Sequence, residues 1–243
     1  MPKNKYHSEI LAEIKRRAKR EKEASQWLQG YLGTKKDCYL LKSADIKKIA
    51  KNFAEKREDF SDKKWMDLLD SLRNGKSNEE LSAAARIIGY LPEFKNRVCP
   101  KALSESLEKT EGWAETDILC QSNFSAEDIL SKWKEWKEFL IGISKDKNIH
   151  KRRASLVLLV RAVRESDEKR LIELAIRNVE RLKKEKEILI TKAISWILRE
   201  ASKNFRREIE NYLAKNEDSL PKIAVRETRR KLETGRKTRK KIQ

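Results

Sequence analysis

Glycine and proline are scarce in this chain, seven and four residues out of 243, and that scarcity argues against a fold built on tight turns and long irregular loops. Cysteine is scarcer still. Cys38, Cys99 and Cys120 are odd in number, far apart and without a CxxC partner, so neither a disulfide framework nor a zinc knuckle is indicated, and a reducing cytoplasm is the simplest setting. The two histidines, His7 and His150, are too isolated to suggest a metal pair. Long apolar runs are missing as well. Nothing approaches the roughly 18 residues of a membrane-spanning helix, and the opening MPKNKYHSEILAEIKRRAKR lacks the apolar segment of a secretory signal. A basic helix lying on an anionic membrane surface stays open for that segment.

Charge of one sign is abundant. Lys and Arg number 58 against 39 Asp and Glu, a net +19, which favours association with a polyanion and says nothing about fold. Duplex DNA is the preferred partner. The charge is distributed: residues 226–243 hold nine Lys or Arg and two Glu, yet the remaining chain is still +12. Residues 103–130 are the exception, with seven Asp or Glu against one Lys. Carboxylates there would repel phosphate, so they are expected to face outward or to serve a purpose other than affinity.

Apolar residues recur at helical spacing almost throughout. A first helix is expected from about Lys5 to Leu28 and a second over Ser43–Phe53, with Ser43 as N-cap and Ile46, Ile49, Ala50 and Phe53 as its inner stripe. Trp65, Leu68, Leu69 and Leu72 make the next stripe; Leu81, Ala84, Ala85 and Ile88 follow after Asn74 and Gly75. Gly33, Gly89 and Gly112 fall at other interruptions. Ser125 and Asp128 form a shortened capping box, and Trp133, Trp136, Phe139 and Leu140 give one inward face. Further helices are expected at about 150–164, 168–182, 185–201, 205–213 and 220–232, the last capped by Ser219 with Pro221 in its first turn. Some ten amphipathic helices and no convincing strand suit a solenoid of helix pairs, although the repeat is not literal and an ordinary helical bundle fits the same periodicity.

Three segments could carry chemistry. In EGWAETDILC, Trp113 and Asp117 are four apart, which puts an aromatic plane and a carboxylate on one helix face; a buried Trp beside an exposed Asp gives the same pattern. In HKRRASLVLLVRAVR, Arg152 and Arg153 stand in a helix's first turn, where the dipole does not favour them, so an external or neighbouring anion is expected, unless the run is simply solvated. In ITKAISWILRE, Ile190, Ala193, Ile194 and Ile197 form the buried stripe and Trp196 is rotated from its centre, toward a rim or into the core.

At these three segments the chain resembles the DNA alkylation repair glycosylases of the HEAT-like repeat superfamily, the AlkD family. Trp113 and Asp117 in GWAETD, Arg152 in HKRRAS and Trp196 in KAISWILRE carry the resemblance. LLKSADIKKIAK and FRREIENYLAKNEDSLPKIAVRETRRKL extend it, so that it covers about residues 20–235. The resemblance implies an all-α, right-handed HEAT-like helical-repeat solenoid with a concave basic face, spanning residues 1–235 as one domain with a basic tail at 236–243. It implies a monomer that hydrolyses the N-glycosidic bond of cationic N3- and N7-alkylpurines in duplex DNA without extensive base flipping, needing no metal or cofactor. Asp117 matches the family's catalytic aspartate. Trp113 and Trp196 match the tryptophans that pack on deoxyribose and backbone at the lesion, and Arg152, with Arg153 beside it, matches an arginine that supports the backbone there. Ala114 departs from the pattern, since the residue after the first Trp is often acidic in the family. A catalytically silent helical-repeat protein that binds damaged or branched DNA is the alternative, and a scaffold for protein partners is a third reading.

Overall fold

The computed structural model describes residues 4–19, 21–57, 59–91 and 100–237. Cys99, Pro2, Pro92 and the end of the basic tail lie outside them. Two compact units divide the chain, Met1–Asn123 and Phe124–Gln243.

Seven described helices make up the first unit: α1 (Lys5–Arg17), α2 (Lys22–Leu32), α3 (Ser43–Glu55), α4 (Asp62–Arg73), α5 (Asn78–Ile88), α6 (Pro100–Glu108) and α7 (Trp113–Gln121). Helix α5 is their centre, packed by α1, α3, α4 and α7. Its alanines explain that position: Ala83, Ala84 and Ala85 are short enough to let neighbouring helices approach, and all three are buried. The expected stripes of α3 and α4 are buried around it, with Phe53, Phe60 and Trp65 meeting edge to face or tilted. Ser77 and Glu80 close a complete capping box at the start of α5.

The second unit holds α8 (Ala126–Ser131), α9 (Trp133–Ile143), α10 (Ile149–Glu165), α11 (Lys169–Leu182), α12 (Ile188–Ala201), α13 (Arg206–Asn216) and α14 (Lys222–Thr234). Helices α10, α12 and α14 pack in succession, while α11 joins α10 to α12 and α13 joins α12 to α14. The first unit alternates likewise, α1 on α3, α3 on α5 and α5 on α7. Each unit thus has a series of helices stacked on their next-but-one neighbours with linking helices beside them, the two-layer pattern of a helical repeat. Among the described residues there is no strand beyond an isolated parallel bridge, Asp37 to Ser77, and no helix is long and apolar enough to cross a membrane.

Four expectations need correction. The single helix over Lys5–Leu28 is two, because after Ile14 the run KRRAKREK offers no apolar side chain larger than Ala18 to the core and sets Lys15 against Lys19 at repelling spacing. Ala18 turns extended, and the Lys19 amide donates to the Tyr39 carbonyl instead. Ser43 is inside α3, its hydroxyl accepting from Arg86, and Lys42 is the cap residue. Ser219 does not cap α14 either; its hydroxyl donates back to the Asn216 carbonyl. Fourteen helices, not ten, result among the described residues, because the expected helices over residues 5–28 and 125–140 are each two and because α6 and α7 had no apolar stripe assigned. The shortened capping box, in contrast, is complete: the Ser125 amide donates to Asp128 (2.8 Å) and the Asp128 amide to Ser125 Oγ (3.2 Å). Of the face expected on α9, Trp136 and Leu140 are buried, while Trp133 is half-exposed with the Arg170 guanidinium over its ring.

Candidate functional site

In the first unit, the start of α7 is clasped to the segment that follows α2. Gly112, the N-cap, has no alternative there: a Cβ would lie 2.3 Å from the Leu32 carbonyl oxygen and 2.9 Å from that of Gly33. The Trp113 indole donates to the Tyr31 carbonyl at 2.7 Å, which fixes the ring. Glu115, one of the carboxylates of 103–130 expected to face outward or to serve a purpose other than affinity, is 1% exposed and follows the second course. It accepts from the Thr34 hydroxyl (2.9 Å), with both oxygens from the Lys36 ammonium (3.0 and 3.1 Å), and from the Glu111 amide (3.0 Å). The Glu111 carboxylate takes the Lys35 amide at 3.0 Å. Asp117 stands half-buried one turn beyond Trp113.

Ala114 is buried with Leu32 and Cys38, so an acidic side chain in its place would face apolar neighbours. Cys38 is no nucleophile: burial first, then the carboxylates of Glu79, Asp37 and Glu115, push its thiol up to about 12.

Two aromatic residues that periodicity overlooked extend this site. Trp27 and Tyr31 stack in parallel, centroids 5.4 Å apart, and Tyr31 meets Trp113 edge to face at 5.4 Å. They are 68% and 57% exposed, in contrast to most large apolar side chains of the molecule. Their spacing of four on a helix was the available signal.

The second unit holds the other three expected residues. Arg152, in the first turn of α10, donates from Nε and Nη2 to the two oxygens of Glu185 (2.9 and 3.1 Å) and from Nη1 to the carbonyls of Asp146 (2.9 Å) and Lys147 (2.8 Å). Arg153 is 5% exposed and donates to the carbonyl of Leu189, in the first turn of α12. Trp196 is half-buried on α12, next to Ser195, whose hydroxyl donates to Glu227 at 2.7 Å. Trp113 and Asp117 are therefore brought together on α7, and Arg152 and Arg153 are brought to the beginning of the helix that carries Trp196. At α14 an open cleft of about 1070 Å³ is lined by Lys222, Arg226, Arg230 and Arg236, with Glu217 and Glu233 among them. Among the described residues no group of three or more His, Cys, Asp or Glu could hold a metal ion.

The profile of the family described as DNA alkylation repair enzyme matches residues 10–232. Among solved structures, the chain is similar to one described as a predicted DNA alkylation repair enzyme from Enterococcus faecalis, with 15% identity, 90% of this chain and 99% of that chain covered, and a TM-score of 0.72. At that identity the likeness speaks for the fold alone. No curated protein sequence matches the chain.

Proposed function

The chain belongs to the DNA alkylation repair enzyme family, and from that premise we propose that it is a DNA glycosylase hydrolysing the N-glycosidic bond of cationic N3- and N7-alkylpurines in duplex DNA without extensive base flipping. The observation that carries this reading is Asp117, a half-buried carboxylate one turn from an indole whose orientation is fixed by the Tyr31 carbonyl.

An alkylated purine is a cationic leaving group that departs neutral, so it needs no acid to protonate it. Positive charge grows on the sugar as the bond to C1′ breaks, and water then adds at C1′ and loses a proton. Asp117 stabilises that charge and orients the water, most effectively from a partly dry, preorganised setting. The faces of Trp113 and Trp196 hold the deoxyribose, packing on it and attracting its charge. Arg152 supports the neighbouring phosphate. Arg153, being buried, serves by fixing the first turn of α12. Contact limited to backbone leaves the base in the duplex, and selectivity then rests on the lability of the cationic lesion and the deformability of the damaged duplex.

Purified protein incubated with duplex DNA alkylated at guanine N7 and adenine N3 should release the alkylated bases faster than spontaneous depurination. Tight binding without excess release would replace this reading with that of a catalytically silent binder of damaged or branched DNA.

A further inference from the structure

Arg152 is the arginine to which the proposed function gives a phosphate, yet each of its three guanidinium nitrogens already donates within the fold. The Nε and Nη2 edge, which binds phosphate bidentately when it is available, is closed by Glu185 at 2.9 and 3.1 Å. The other nitrogen holds the carbonyls of Asp146 and Lys147 and so anchors the turn before α10. The two edges of the guanidinium are therefore unequal: one is tied to two backbone carbonyls, the other to a single side chain. That side chain is at the surface. Arg152 and Glu185 are 18% and 26% exposed, within reach of a ligand from solvent. Glu185 also stands between Lys184 and Lys186 in sequence, both exposed, as a carboxylate set in a cationic stretch.

We infer that Glu185 is an anionic placeholder for a DNA phosphate: its carboxylate occupies the bidentate edge of Arg152 in the free protein and is displaced by the backbone phosphate in the complex. The inference rests on the proposed function for the phosphate contact at Arg152. Its physical content is an exchange. With Glu185 in place the pair is neutral, and phosphate binding adds one anion while releasing another, so Arg152 contributes little to affinity for intact duplex. What the pair supplies is geometry, since a planar fork already held by two carbonyls and a carboxylate loses little rotamer freedom when a phosphate replaces the carboxylate. A phosphate brought into register gains a preorganised partner; one out of register faces the carboxylate.

Glu185→Gln keeps the shape and removes the charge, so the pair becomes a net cation. Intact duplex should then bind roughly tenfold more tightly at low salt, and the plot of log affinity against log salt should steepen by about 0.9, the contribution of one further neutralised phosphate. Raising salt from 50 to 200 mM should accordingly shrink the gain about 3.5-fold. Glu185→Asp keeps the charge and shortens the arm, and should retain the wild-type slope. Glu185→Gln combined with Arg152→Gln should bind like Arg152→Gln alone. If Arg152→Gln does not fold, the two Glu185 variants still decide the matter. Unchanged or weaker binding by Glu185→Gln overturns the inference, because Glu185 would then only position Arg152. Equal tightening by Glu185→Asp overturns it too, since loss of geometry would be the cause. These measurements need no base release. Wild-type protein that releases alkylated bases while Glu185→Gln leaves affinity unchanged removes the placeholder and leaves the glycosylase standing, whereas wild type that binds no duplex removes both.

Discussion

Helices α7 and α10 both begin with charged residues beside a side chain proposed to meet DNA, and they are built with opposite signs. Glu111 and Glu115 at the start of α7 complement the positive end of the helix dipole and gather an amide, a hydroxyl and an ammonium from the segment after α2, Glu115 accepting from the Glu111 amide as well. Lys151, Arg152 and Arg153 at the start of α10 oppose the dipole; Lys151 pairs with the Asp146 carboxylate, Arg152 with Glu185 and two carbonyls, and Arg153 with a carbonyl. Most charges in both places are therefore internal fasteners. In a chain of net +19, a cluster of cations is as ready to hold two helices together as to hold DNA. The difference between the two starts lies beside those fasteners: α7 carries a half-buried carboxylate, Asp117, one turn beyond Trp113, while α10 has an arginine edge that a single carboxylate covers.

The sharpest way to break that comparison is at Asp117. Asp117→Asn removes the charge and keeps the size. Single-turnover excision of 7-methylguanine should fall at least about 100-fold, close to 3 kcal/mol of transition-state stabilisation. Duplex affinity should hold or rise, and the melting temperature should stay near wild type. Normal excision by the folded variant would withdraw the catalytic role and make Asp117 one more structural charge of α7.

Glu115 should show the converse. Glu115→Gln leaves the Lys36 ammonium, 14% exposed, against a neutral amide, and breaking a buried pair on one side costs about 3 kcal/mol. Urea unfolding should show that loss, with excision per folded molecule retained far better than in Asp117→Asn. A stable Glu115→Gln protein would mean that the clasp is not what holds α7.

This buried glutamate marks where sequence ceases to inform. The stripes of α3, α4, α5 and α12 could be read from periodicity because burial of apolar area dictates them locally. Trp113 and Asp117 share a face for an equally local reason, helical geometry. Glu115 looked like a surface carboxylate because its cation, Lys36, is 79 residues away in the chain. An external or neighbouring anion was expected at Arg152, but Glu185 could not be picked out as that anion because it is 33 residues away. Ser43 and Ser219 looked like caps because their chemistry suits capping, whereas the position of a cap follows from where the backbone leaves the helix, which packing sets. The exposed Trp27 and Tyr31 carried no core signature at all.

At α10 the distinction between fastener and contact can be sharpened with Arg153. Removing a buried, charge-assisted hydrogen bond to a carbonyl should cost about 2 kcal/mol in Arg153→Met. Because the side chain is 5% exposed, the salt dependence of duplex binding should keep its slope. A slope lower by about 0.9 would reassign Arg153 to direct phosphate contact.

The smallest effect is expected at Glu13, which separates true fasteners from surface pairs. Its carboxylate accepts from Arg16 (2.8 and 2.7 Å) and from Arg17 (2.7 Å), an arrangement that on paper rivals the Glu115 clasp. The hydrogen bond from Arg16 first, with help from Arg17, holds its pKa down to about 2, and desolvation opposes them. A carboxylate with a depressed folded pKa stabilises the fold above its unfolded value of 4.5 and loses that contribution as pH falls toward 2. Arg16 is exposed and Glu13 and Arg17 only half-buried, so that screening and side-chain entropy reduce such pairs to a small fraction of a buried one. Glu13→Gln should therefore lower stability at pH 7 by no more than that, lose its difference from wild type near pH 2, and lose most of it in 1 M salt, where the Debye length is about 3 Å. Glu115→Gln should keep its deficit in the same salt, because burial shields its partner from ions. Equal losses at Glu13 and Glu115, or equal sensitivity to salt, would erase the line drawn between a charge that fastens this fold and a charge that decorates it.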